Sequence, residues 1–146
     1  MGATLAGVSR GSVSVQLLPG PSNMQQHGYV HAGAVSAIAD SAAGYSAQTL
    51  MAPDRTVLTT EFKIDLLAPA PGERLIAVGE VIRAGRTLTV AQVRVFAENG
   101  ERKLVALLTA TMIAVPKAET DPFLLASSAG HRLSGHPSQN LGQLLD

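Results

Sequence analysis

The segment Gly33–Met51 constrains the fold more than any other. It contains no proline, stops just before Pro53, and is crowded with small residues, among them Ala34, Ala37, Ala39, Ala42, Ala43 and Ala47. Alanine has the highest intrinsic helix propensity, and a run of this length without a breaker predicts a helix. Apolar residues occupy much of its circumference, which predicts burial on more than one side. Nothing bulky holds such a helix off, so it can lie close against a sheet.

Strand signals surround it. Ser12–Leu18 alternates Val13, Val15 and Leu17 with polar residues and ends at Pro19-Gly20-Pro21, which predicts a half-buried strand. A polar loop, Ser22–Gly28, leads toward the helix. Beyond the helix, Thr56–Leu67 is β-branched and closed by Pro69-Ala70-Pro71-Gly72, and Arg74–Arg83 alternates up to Ala84-Gly85. Thr87–Phe96 leads to Asn99-Gly100, a strong hairpin signal because both residues tolerate positive φ. Lys103–Val115 is the last and most apolar strand, stopped by Pro116. Short connections imply antiparallel neighbours. The expected class is α+β, with a strand, a long buried helix and an antiparallel meander. At 146 residues the chain suits one domain. That domain is expected over residues 1–116. Residues 117–146, with Ser127-Ser128, Gly130, Gly135 and Pro137, are expected to form a flexible or surface-draped tail.

Composition narrows the function classes. Hydrophobic residues make up 46% and charged residues 15%, which suits a globular protein. Eleven basic and 11 acidic residues leave no net charge, and aromatics are only 3% with no Trp. Neither a basic patch nor a stacking platform is present, so nucleic acid is not an expected partner. With no cysteine, a disulfide framework, a thiolate nucleophile and a zinc–thiolate site are excluded. His27 lies in the loop and His131 and His136 lie in the tail, so no metal or other cofactor is expected. No Gly-x-Ser-x-Gly elbow is present, which disfavours a Ser-His-Asp hydrolase. Met1–Arg10 has no signal-peptide pattern and no apolar run is long enough to span a bilayer, so the expected location is cytoplasmic, with no membrane partner.

The chemistry concentrates in Gln25-Gln26-His27-Gly28-Tyr29-Val30-His31-Ala32-Gly33, followed by Asp40. Asp40 sits among small residues with no Lys or Arg within a helical turn. A carboxylate there is costly to bury without hydrogen bonds. It reads either as a catalytic base or nucleophile, or as part of a narrow solvent-facing strip with Ser36 and Ser41. His31-Ala32-Gly33 opens the helix, where backbone N–H groups lack intrahelical partners and the dipole favours negative charge. That suits an anion hole for a tetrahedral oxyanion, although every helix start shares the feature. Gly33 lets a substrate approach the backbone closely.

This pattern resembles the PaaI-type (phenylacetate-pathway) hotdog thioesterases. Their mark is Asn or Gln, then Gly, then His-Gly-Gly opening the central helix, with an acidic residue nine positions after the His. Gln25, Gly28, His31 and Asp40 stand at those spacings. Thr59–Ala70 resembles the family's next strand with its proline, and Gly85-Arg86-Thr87-Leu88 resembles a turn that meets coenzyme A. The likeness runs from about Gly11 to Val115. Ala32 stands where the family has its first Gly, but its backbone supplies the same donor. The segment before the first strand is too short for the family's N-terminal helix. The resemblance implies a hotdog fold and acyl-CoA hydrolysis. In it Asp40 would attack the thioester or activate water, the Ala32 N–H would hold the oxyanion, and Gln25 would position the carbonyl or water. His31 would shape the turn and Thr59 would assist Asp40 or the water. Thr60, Arg83, Gly85, Arg86 and Thr87 would lie on the coenzyme A side.

Ala32 and Asp40 are eight residues apart, about 12 Å along a helix axis. An oxyanion donor and an attacking group must both lie within about 3–3.5 Å of one carbonyl. One chain cannot satisfy both, so a shared site implies a homodimer with composite sites, itself able to pair into a tetramer. Two rivals stand beside this reading: a non-catalytic acyl-CoA-binding module of the same fold, and a hotdog dehydratase or hydratase. The second is disfavoured because there His and Asp lie only a few residues apart.

Overall fold

The computed structural model describes residues 1–118. Apart from Lys117 and Ala118, the expected tail lies outside the described residues. The elements are β1 (Ala3–Ser9), β2 (Ser12–Leu17), a 3-10 turn (Pro21–Asn23), α1 (Ala32–Gln48), β3 (Arg55–Leu66), β4 (Arg74–Ala84), β5 (Leu88–Asn99) and β6 (Glu101–Pro116). The strands form one antiparallel sheet in the order β1-β2-β4-β5-β6-β3. The sheet wraps α1, which is the expected hotdog arrangement. Its inner face is built by alternation: Val13, Val15 and Leu17 on β2, Leu75 and Ala77 on β4, and Val93, Val95 and Ala97 on β5 are all buried. Asn99-Gly100 makes the expected hairpin, with Gly100 at φ 77. β6 starts two residues before the expected Lys103, directly after the Gly100 turn, and runs one residue past the expected Val115 to end on Pro116.

Two expectations need correction. The first concerns residues 3–9, which form strand β1. All seven of its residues are exposed, so no buried face leaves an alternating pattern to read. Gly11, at φ 78, closes the tight turn into β2. Its N–H donates to Thr49 Oγ1 at 2.7 Å and latches the hairpin to the end of α1.

The second correction concerns the helix. It ends at Gln48, not Met51, and is buried on one side only. Pro53 disfavours helical backbone at Ala52, so the last turn unwinds early. Val35, Ile38, Ala39, Ala42, Ala43, Ser46 and Ala47 face the sheet, while Ser41 and Tyr45 remain exposed. Among the described residues the sheet covers only one side of the helix, so apolar residues on the other side have no cover there.

The buried side is unusually close to the strands. Ser46 Oγ donates to Ala42 O at 2.7 Å and accepts the Val13 N–H at 2.9 Å. An added Cβ at Gly79 would lie 2.6 Å from both Ala42 O and Ser46 Oγ. Only glycine fits there, and this close contact seats α1 on β2 and β4.

Candidate active site

The loop before α1 is held by backbone. His31 N–H donates to Asn23 O at 2.8 Å and Val30 N–H to Ala70 O at 3.0 Å. Gln25 N–H donates to Tyr29 O and Gly28 N–H to Gln25 O, a turn that Gly28 completes at φ 79. His31 is the N-cap, with extended backbone at φ −62 and ψ 135. Its Nδ1 accepts the Gly33 N–H at 2.9 Å, which places the ring proton on Nε2. A Cβ at Gly33 would sit 3.1 Å from that nitrogen, so the glycine also makes room for the cap.

This cap sorts the donors at the helix start. The Gly33 N–H is taken by His31, and those of Ala34 and Val35 by the His31 carbonyl. The Ala32 N–H has no hydrogen-bond partner among the described residues. Ala32 lines a cleft of about 430 Å³ together with Gln25, Tyr29, Leu66, Leu67 and Pro69.

Asp40 lies elsewhere. It is half-buried on the open side of α1 and lines a separate groove of about 250 Å³ with Gly44, Tyr45, Gln48, Thr56 and Val57. Thr59 Oγ1 donates to its Oδ1 at 2.8 Å, while Oδ2 has no protein partner among the described residues. Thr59 reaches it at a bulge between Thr59 and Glu61. The extra residue, Thr60, donates its hydroxyl to Thr111 O at 3.0 Å, so that hydroxyl is engaged within the sheet.

The turn at Gly85–Leu88 closes with the Gly85 N–H on Leu88 O at 2.8 Å. A Cβ on Gly85 would come 2.7 Å from the same oxygen, which explains the glycine. Thr87 O accepts the Ala114 N–H at 3.4 Å, which ties the turn to β6. Arg86 lines a cleft of about 370 Å³ beyond the end of α1, together with Met51 and Arg55. Arg83 is exposed and does not line it. Sequence reasoning missed Arg55, whose Nη2 donates to Ala114 O at 2.7 Å. The signal was a lone arginine opening a strand, which by itself points nowhere.

The candidate residues therefore form two groups. Asp40, Thr59 and the Gly85–Leu88 turn share one end of the sheet: Thr59 on β3 and Thr89 on β5 both pair with Met112. Gln25, His31 and Ala32 share the other end with Leu66. Thr59 and Leu66 are seven residues apart on β3, roughly 20 Å.

Solved structures with this architecture include hotdog-fold thioesterases. A thioesterase family protein from Silicibacter pomeroyi matches with a TM-score of 0.77 and 43% identity, over 79% of this chain and 85% of that one. A point mutant of the phenylacetic acid degradation protein PaaI from Thermus thermophilus matches with a TM-score of 0.67 and 25% identity, over 77% and 92%. In sequence, 1,4-dihydroxy-2-naphthoyl-CoA hydrolase of Listeria monocytogenes is 29% identical over 117 residues, 80% of this chain and 93% of that protein. The family model described as the thioesterase superfamily matches residues 27–103, more than half of the chain. This chain belongs to the thioesterase superfamily, and it is a thioester hydrolase of the PaaI-like hotdog type.

Proposed function

We propose that the protein hydrolyses an acyl-CoA thioester to coenzyme A and a carboxylic acid, in two composite sites of a homodimer. One observation carries the reading: Ala32, whose N–H has no partner among the described residues, and the Thr59-bound Asp40 line different clefts of one chain. Neither group performs acyl transfer alone. A two-fold operation that superposes the two clefts supplies both to one carbonyl.

β3 offers the means. Among the described residues it ends the sheet with one edge unpaired, and it is twelve residues long with Leu58, Phe62 and Leu66 exposed. A long apolar edge of this kind favours pairing with another strand. Antiparallel pairing of β3 with its copy, centred between Phe62 and Lys63, would set Thr59 opposite the partner's Leu66. The groove of Asp40 would then meet the cleft holding the partner's Ala32.

In that composite site Asp40 Oδ2 attacks the thioester carbonyl carbon or takes a proton from the water that does. The Thr59 hydroxyl on Oδ1 fixes the carboxylate plane. Charge develops on the carbonyl oxygen, where the partner's Ala32 N–H and the positive end of its helix stabilise it. Collapse of the tetrahedral species breaks the C–S bond and expels the coenzyme A thiolate. Where Asp40 activated water, the acid is released and the thiolate takes up the proton; where Asp40 attacked, water then hydrolyses the acyl–Asp40 anhydride. The partner's Gln25 carboxamide, in the same cleft, orients the carbonyl or the water. The relative's action on a CoA thioester supports the leaving group, and Arg86 with Arg55 offers two guanidinium groups for its phosphates. Arg83, outside that cleft, is left with a peripheral role, and Thr60 with a structural one.

The test is thiol release from a panel of acyl-CoAs. The protein has no cysteine, so every thiol detected comes from product. Turnover of at least one member is expected; binding without turnover would point instead to a ligand-binding module. Arg86→Ala should raise KM for the best substrate about tenfold, roughly 1.4 kcal/mol of uniform binding. A pantetheine thioester lacking the nucleotide should be nearly unaffected. Equal losses on both thioesters would make Arg86 structural.

A further inference from the structure

Two large aliphatic side chains stand on the helix-facing side of the sheet yet outside the core. Leu5 is 53% exposed and Val8 63%. Residues three apart on a regular strand point to opposite faces. Here a bulge between Leu5 and Gly7 shifts the register, so that Leu5 pairs with Val15 and Val8 with Val13. Both partners are buried on the inner face, so the bulge turns Leu5 and Val8 inward together. α1 does not cover them. They line an apolar groove of about 170 Å³ with Val13, Tyr45 and Gln48, on a hairpin latched to the end of α1 through Thr49.

That groove adjoins the one holding Asp40, since Tyr45 and Gln48 line both. Among the described residues, Asp40 is the only charged side chain along either. The passage is kept bare at Gly44, one helical turn beyond Asp40. Glycine in a helix interior is destabilising relative to alanine. A Cβ there would meet only Val57 Cγ1, at an ordinary 3.8 Å, so packing does not demand the glycine.

We infer that the β1–β2 hairpin forms a distal subsite for the far end of a long, neutral, apolar acyl group whose thioester lies at Asp40. The inference rests on the catalytic reading of Asp40 above. Asp40 to Thr49 is nine residues, about 13.5 Å along α1. A backbone advances about 3.8 Å per three bonds, so a hydrocarbon chain needs about eleven bonds to cover the distance. A dodecanoyl group reaches Leu5 and Val8, and a butanoyl group does not. Apolar burial scales with area, so the longer chain gains from the shelf.

The experiment compares kcat/KM for dodecanoyl-CoA and butanoyl-CoA in the wild-type chain and in a Leu5→Ser, Val8→Ser double variant. Both side chains are mostly exposed, so the core is not disturbed, and thermal unfolding checks this. The dodecanoyl-to-butanoyl ratio should fall about tenfold in the variant. An unchanged ratio would overturn the subsite, including the case in which a second copy or residues 119–146 occupy the shelf. Equal loss on both substrates would also overturn it, by showing a structural role for the hairpin. Turnover of aryl thioesters without turnover of dodecanoyl-CoA would overturn the subsite and leave the catalytic reading standing. Absence of turnover on every thioester would instead remove the catalytic reading itself.

Discussion

Asp40→Asn should lower kcat by about 10³-fold, within the range that a positioned base or nucleophile contributes. The substitution is chosen on geometry. The amide oxygen can still accept the Thr59 hydroxyl that Asp40 Oδ1 now accepts at 2.8 Å. The amide nitrogen takes the place of Oδ2, and it can neither attack a carbonyl nor accept a proton. Asp40 is half-buried on the open side of α1, so neither the core nor the seating of the helix changes. Thiol release measures the loss, while thermal unfolding and sedimentation confirm fold and assembly. Retention of more than about a tenth of kcat would limit the role of Asp40 to less than about 1.4 kcal/mol and would favour the binding-module reading.

Restored activity from two dead parents is the second large effect. Ala32→Pro removes one N–H that has no partner among the described residues. Ala32 is the first residue of α1, where proline is tolerated. His31 already holds the extended backbone, φ −62 and ψ 135, that proline demands of its predecessor. The variant should fold and lack the oxyanion donor. Asp40→Ala should be inactive for a different reason. If each site takes Asp40 from one chain and Ala32 from the other, a mixed dimer has one site with both defects and one with neither. Random re-pairing makes about half the dimers mixed, so about a quarter of wild-type activity should return on symmetry alone. If both groups served one chain's site, every site would carry a defect. The two variants are unfolded together, refolded and assayed. Mixed dimers confirmed by mass without recovered activity would sink the shared site.

The sequence made the architecture legible wherever an element has a buried face. Val13, Val15 and Leu17 announced β2 by alternation, and Asn99-Gly100 announced the hairpin by its φ requirement. β1 was illegible because no residue of it is buried. A strand without an inside leaves no periodicity, and its bulge scrambles what remains. The helix was read with the wrong end and as buried on more than one side, because hydrophobicity shows what wants cover and not whether one chain supplies it. In the candidate site, the spacing of Gln25, Gly28, His31 and Asp40 carried the resemblance. The partition of donors did not show. That Gly33 serves the His31 cap while the Ala32 N–H has no partner among the described residues depends on where an imidazole nitrogen points. Arg55 was invisible for a similar reason, since only the folded turn brings it near Arg86.

The contact at Gly79 reaches further than packing. Ser46 and Ala42 meet the sheet with no room for one more carbon, so the axial and lateral position of α1 is set from its hidden side. Asp40 projects from the opposite side of the same helix and inherits that setting without touching it. The helix behaves as a rigid gauge block, zeroed against β2 and β4 and read out at Thr59. An error of about 1 Å in a reacting group can cost on the order of a hundredfold in rate. Drift at Gly79 would therefore register first as lost alignment at a carboxylate far from it.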